Sequence, residues 1–161
     1  MSDHPVPRQY EVVVRWTGNR GSGTSGYRTY ARDHTIEAGA KPAIPGSSDP
    51  AFRGDADRWN PEDMLIASLA ACHQLWYLHL CSENGVVVSA YEDRASGIML
   101  DDRTAGGRFV QAVLRPRVTL RPGADEALAL RLHAEAHAQC FIANSLNFPV
   151  EIQPSVELEP A

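Results

Sequence analysis

Lysine is almost absent: of the 15 basic residues in this 161-residue chain only Lys41 is not an arginine, and 20 acidic residues leave a formal net charge of −5. A nucleic-acid-binding surface needs clustered positive charge. The densest basic stretch, Arg115, Arg117 and Arg121, alternates with Val118 and Leu120 as one face of a strand does, so nucleic acid is not an expected partner. Cysteine is also scarce. Cys72, Cys81 and Cys140 are odd in number and far apart, which excludes a secreted disulfide framework and leaves reactivity, metal binding or core packing. No apolar run approaches the ~20 residues a membrane helix requires, and the N-terminal MSDHPVPRQYEVVVRW lacks the apolar core of a signal peptide. The expected location is cytoplasmic, with no membrane partner. What is present, 43% hydrophobic and 22% charged residues, suits a soluble globular protein. A chain this long buries roughly 70% of its unfolded surface without a disulfide or metal staple, and a single domain over residues 1–161 is expected.

Residues 9–17 (QYEVVVRWT) read as a strand, followed by the glycine-dense turn GNRGSGTSG and then YRTYARDHTIEA, which suggests a second and a third strand. Residues 39–58, rich in Gly, Pro, Ser and Asp, read as a long loop of the kind that carries function. Asn60-Pro61-Glu62-Asp63 then supplies an N-cap, a proline at the first helical position and two carboxylates in the first turn. The helix it opens continues through MLIASLAACHQLWYLHLCSE to Asn84-Gly85 and is apolar almost all round, as a core helix or one in a subunit interface is. VVVSAYEDRASGIMLDD and RFVQAVLRPRVTLRP alternate apolar with polar and predict two antiparallel strands. A second helix is expected over roughly 124–140, and FPVEIQPSVELEP is expected to be a final strand. This order gives an α+β class without βαβ repetition.

Each candidate residue has a plain reading beside the chemical one. Cys81, among Leu78, Leu80 and Ser82, reads as core, since free cysteine is commonly buried. Mid-helix Cys72 reads the same way from position alone. Cys140 ends the second helix, where the negative end of the dipole raises a thiol's pKa. His133, His137 and Cys140 share one helix face and suit zinc by residue type, against a solvated face with incidental histidines. The glycines of GNRGSGTSG are not followed by a helix, so they are no dinucleotide fingerprint.

Two segments, NPEDMLIASLAACHQLW and, 68 residues after its cysteine, CFIANSLNFPVEI, together resemble the OsmC/Ohr family of thiol-dependent peroxidases. The shared pattern is an Asn-Pro-Glu helix start, a cysteine ten residues past that glutamate, and a second cysteine ending the next long helix, here Glu62, Cys72 and Cys140. The resemblance implies an OsmC-like fold, antiparallel sheets around two long helices in an intertwined homodimer. It also implies a peroxidase that reduces organic hydroperoxides to alcohols, with hydrogen peroxide as a further candidate substrate, and that uses no cofactor or metal. Cys72 would attack the peroxide and become a sulfenic acid, and Cys140 would close a disulfide with it. A small dithiol such as a dihydrolipoyl group would reduce that disulfide. A free thiol, with a pKa of about 8.5, is mostly protonated at neutral pH, and the family supplies an arginine held by the glutamate. Arg53 matches the OsmC-type position for it and Arg20 the Ohr-type position. Ten helical residues separate Glu62 from Cys72 by about 15 Å along the axis, so a shared constellation needs a second subunit. One departure is Phe141 after the second cysteine, where family members commonly have proline. Phe52, Trp59, Trp76 and Phe141 are candidate walls of a substrate pocket. The competing readings are an OsmC-like protein that binds an apolar ligand with little or no turnover, and a zinc protein using His133, His137 and Cys140.

Overall fold

The computed structural model describes residues 5–160 and divides into two compact units, residues 5–64 and 65–160. In the N-terminal unit, β1 (Val13–Trp16), β2 (His34–Glu37) and β3 (Ile44–Gly46) form an antiparallel sheet in that order. Val13 lies opposite Glu37 and His34 opposite Gly46. The 39–58 segment is therefore not one loop. It contains β3 and, at Pro50–Phe52, a single 3-10 turn that Asp49 caps by accepting the Ala51 N–H. The glycine-dense stretch makes no strand. Asn19 Oδ1 accepts the N–H groups of Gly21 and Gly23, and Thr29 Oγ1 donates to the carbonyl of Gly26, so side chains tie the turn down.

Helix α1 (Pro61–Glu83) has the boundaries its caps dictate. Asn60 Oδ1 accepts the Asp63 N–H at 2.7 Å, and its Nδ2 donates to the Asp63 carboxylate at 3.0 Å. At the other end Gly85 takes φ = 70°, the left-handed step that glycine makes at least cost. By length and composition α1 is the one helix among the described residues long and apolar enough to cross a membrane, contrary to the expectation that no segment reaches that size. Its Leu69, His73, Tyr77 and Cys81 stripe is instead buried in the protein.

In the C-terminal unit the expected long strands are each broken in two. The first becomes β4 (Val88–Asp93) and β5 (Ser96–Leu100), and the second β6 (Arg108–Leu114) and β7 (Pro116–Leu120). Helix α2 (Glu126–Gln139) follows, with Asp125 as its N-cap. The final segment splits into β8 (Val150–Ile152) and β9 (Ser155–Leu158). The halves sort into two sheets, β4-β7-β9 and β5-β6-β8. Each is antiparallel on one side and parallel on the other, because β8 and β9 run parallel to β6 and β7. The breaks have a common cause. Arg115 turns its N–H to the Asp93 carboxylate at 2.7 Å and its guanidinium to Ser96 Oγ at 2.8 Å, while Pro116 and Pro154 have no N–H to continue a ladder.

Each sheet carries a core. Tyr77 and Cys81 of α1 meet Ala129, Leu132 and Ala136 of α2 over Val118 and Leu120 of β7. Leu69 and Cys140 pack over Ala112 and Leu114 of β6. Fully burying one such leucine stabilises by about 1.5–3 kcal/mol, which fixes how the two helices lie on the sheets.

Candidate active site

The contact between α1 and α2 is polar at its centre. His73 Nε2 and His133 Nδ1 are 3.0 Å apart, and both side chains are buried. The Tyr77 ring stacks on His133 with centroids 3.8 Å apart and planes 10° from parallel. Burial, helped by the neighbouring His137, depresses His73 to about 4; burial and then His73 depress His133 to about 3. Both rings are neutral at pH 7, so one can donate and the other accept. His133 is thus neither on a solvated face nor gathered with His137 and Cys140. Among the described residues no group of three His, Cys, Asp or Glu side chains is placed to hold a metal ion.

Two cysteines lie near this contact. Cys72, one residue before His73, is half-buried, and Cys140 caps the C-terminus of α2, fully buried; both are free thiols. Burial first, then a hydrogen-bond interaction with the Cys72 thiol, pushes Cys140 up to about 11. The direction agrees with the expectation from helix position, but the main cause is desolvation. The turn after Cys140 is closed by its own hydrogen bonds: the Ala143 N–H reaches Cys140 Sγ at 3.4 Å, Asn144 N–H the Cys140 carbonyl, and Ser145 Oγ the Phe141 carbonyl at 2.8 Å. Phe141 in place of proline leaves that turn intact. Cys81 lies in the core, and burial raises its pKa.

Cys72 opens onto a cavity of about 550 Å³ walled by Ala71, Leu75, Trp76, Phe141 and Ile142, with Ser68 and His79 also in its lining. Trp76 and Phe141 meet edge to face, with centroids 5.4 Å apart at 85°. Two of the four aromatics picked from sequence therefore line one wall. Phe52 and Trp59 are not among its lining residues. They belong to the N-terminal unit, where Trp59 donates its N–H to Pro45 and accepts from Ser47. Leu75 and Ile142, which complete the apolar wall, were not singled out by sequence. Only their spacing of three and two residues from Cys72 and Cys140 would have indicated them.

Glu62 stands in the first turn of the unbroken α1, about 15 Å from Cys72 along the axis, and its Oε2 is buried without a hydrogen-bond partner among the described residues. Arg53 and Arg20 are not alternatives in space: both line one polar cavity of about 260 Å³ within the N-terminal unit. Arg53 follows the 3-10 turn with φ = 67°, the one non-glycine residue with positive φ among those described.

A family model described as OsmC-like protein matches residues 54–155. The protein YmaD of Bacillus subtilis, itself uncharacterized, is 26% identical over 161 residues, covering 95% of this chain and 93% of the relative. Among solved structures, an OsmC-like protein of unknown function from Vibrio cholerae superposes with a TM-score of 0.81 at 25% identity, over 94% of this chain and 100% of that one. An organic hydroperoxide resistance protein from Legionella pneumophila superposes with a TM-score of 0.65 at 17% identity, over 94% and 99%.

Proposed function

We propose that this chain, which belongs to the OsmC-like protein family, is a homodimeric thiol-dependent peroxidase acting on organic hydroperoxides. The observation that carries the reading is a free thiol, Cys72, opening onto an apolar cavity, with a second free thiol, Cys140, buried behind it in the same core and next in sequence to the cavity residues Phe141 and Ile142. A volume of about 550 Å³ lies within the roughly 300–1,000 Å³ of small-molecule sites, and apolar walls favour an alkyl or aryl body over hydrogen peroxide.

In the first step the Cys72 thiolate attacks the terminal peroxide oxygen. The O–O bond breaks, the alkoxide takes a proton and leaves as the alcohol, and Cys72 becomes a sulfenic acid. Cys140 then attacks Cys72 Sγ, an S–S bond forms, and the hydroxyl departs as water. An external dithiol of the dihydrolipoyl type returns both sulfurs to thiols by exchange. A thiol pushed to about 11 stays protonated at neutral pH, which leaves Cys72 as the attacking sulfur and gives it a donor. The cation beside the thiolate is Arg53, with Arg20 as the second candidate, oriented by Glu62 through a fork-shaped ion pair. A partner chain contributes that pair, because α1 holds its own Glu62 about 15 Å along the axis from its own Cys72. The exposed apolar residues of α1, led by Leu75 at 68%, are the surface such a partner covers.

Consumption of cumene hydroperoxide in the presence of dithiothreitol tests the reading. The parent should turn over, Cys72→Ser should not, and Glu62→Gln should be slowed. A parent that binds an apolar dye in the cavity but consumes no peroxide would favour the ligand-binding alternative.

A further inference from the structure

Arginines 20, 28, 32 and 53 come from three separate stretches of sequence, yet all line the polar cavity of about 260 Å³ in the N-terminal unit. None of the four has a carboxylate partner among the described residues. The two acids in the wall are engaged elsewhere. Asp33 accepts from Ser47 Oγ and lies 3.7 Å from Arg58 Nε; Asp55 lies 3.6 Å from the same nitrogen and accepts the Asp57 N–H. Four guanidiniums against two carboxylates, both of which also face Arg58, leave the wall with an excess of positive charge.

Arg32 is held by its side chain, and Arg53 and Arg20 by the backbone that carries them. Arg32 lies between two tyrosines, its guanidinium carbon 4.4 Å from the Tyr27 centroid and 4.1 Å from that of Tyr30. Its terminal nitrogens donate to the carbonyls of the same two residues at 2.9 Å, which leaves its other N–H groups to a guest. Arg53 is fixed by its left-handed backbone and by Gly54, where a Cβ would collide with the Ser48 carbonyl. The loop carrying Arg20 is tied down through Asn19. One stacked guanidinium, with unpaired neighbours on the same wall, presents the donor geometry that phosphoryl and carboxylate oxygens accept in pairs.

We infer that this cavity is a binding site for a small multivalent oxyanion bearing phosphoryl or carboxylate groups. Arg53 and Arg20 are the two candidates above for the cation beside the thiolate, so the site takes whichever of them that role leaves free, together with Arg28 and Arg32; it lies in the N-terminal unit alone and stands whether or not Cys72 reacts with hydroperoxides. It is tested by calorimetric titration of the reduced full-length chain, at constant ionic strength in chloride, with sodium pyrophosphate and separately with sodium citrate. Saturable binding of at least one of them at one site per chain is expected. Arg28→Gln, an exposed substitution, should weaken it by about tenfold, the worth of a charge-assisted hydrogen bond. Arg94→Gln, which removes a surface arginine paired with Glu92 in the other unit, should leave it unchanged. Binding of pyrophosphate alone assigns a phosphoryl ligand, and of citrate alone a polycarboxylate. Absence of saturable heat with both anions would overturn the site, as would equal weakening by Arg28→Gln and Arg94→Gln.

Discussion

At the residue scale the least ordinary feature is a pair of neutral histidines stacked inside a helix–helix contact. The folded pair titrates at about 4 and about 3, against about 6.5 in an unfolded chain. Depressed folded values mean that on acidification the unfolded state takes up protons first. Their contribution is therefore complete above pH 6.5 and is lost as the pH falls toward 4. The loss is at most about 1.4 kcal/mol per histidine per pH unit. Urea unfolding at pH 7 and pH 5 should show this decline, and His133→Asn should make it shallower. An equal slope in the variant would mean that carboxylates alone set the acid limit. A second residue-scale expectation concerns Cys140: its substitution by serine should permit one turnover of peroxide per chain and then stop the dithiol cycle, as peroxide consumption under dithiothreitol will show.

At the scale of elements, the caps dominate. Asn60→Ala removes the acceptor for the Asp63 N–H at a nearly buried position and should cost about 1 kcal/mol, within the range for N-caps, measurable by denaturant melts. Leu69→Ala should cost more, about 2–5 kcal/mol, because it empties the packing over β6. The helices were legible in the sequence because their signals are local: Asn60-Pro61 and Asn84-Gly85 bound α1, and Asp125 opens α2. The strands were legible in place but not in number. Apolar–polar alternation continues through Arg94 and Arg115, and what breaks the strands there is a set of hydrogen bonds between residues 19–22 apart in sequence. The site follows the same division. Cys72 and Cys140 were singled out by their motifs, and the structure places the first on the cavity wall and the second at the end of α2. The His73–His133 contact, 60 residues apart, and the convergence of Arg20, Arg28, Arg32 and Arg53 depend on tertiary placement that no local pattern records.

At the scale of the whole molecule the buried side chains are unevenly placed. No hydrophobic residue before Leu69 is buried among those described, and every residue of β1 is exposed; a small sheet left that open is marginal in water. In the proposed homodimer a second chain would cover it and would carry Glu62 and its arginine to the partner's Cys72. Light scattering should give a mass twice the 17.6 kDa of the chain. Subunit mixing tests the sharing of the site. Glu62→Gln and Cys72→Ser chains, each impaired alone, should after denaturation and joint refolding recover about a quarter of the parent turnover, since half of random dimers are mixed and each carries one intact site. A mixture no more active than its components would place the whole constellation within one chain.

The central claim is that Cys72 and Cys140 form a peroxide-driven disulfide. Intact-mass measurement of the reduced protein, before and after one equivalent of cumene hydroperoxide, tests it most directly. The account predicts a loss of two hydrogens per chain in the parent, none in Cys72→Ser, and an added oxygen on Cys72 in Cys140→Ser. A parent of unchanged mass with both thiols free would contradict it.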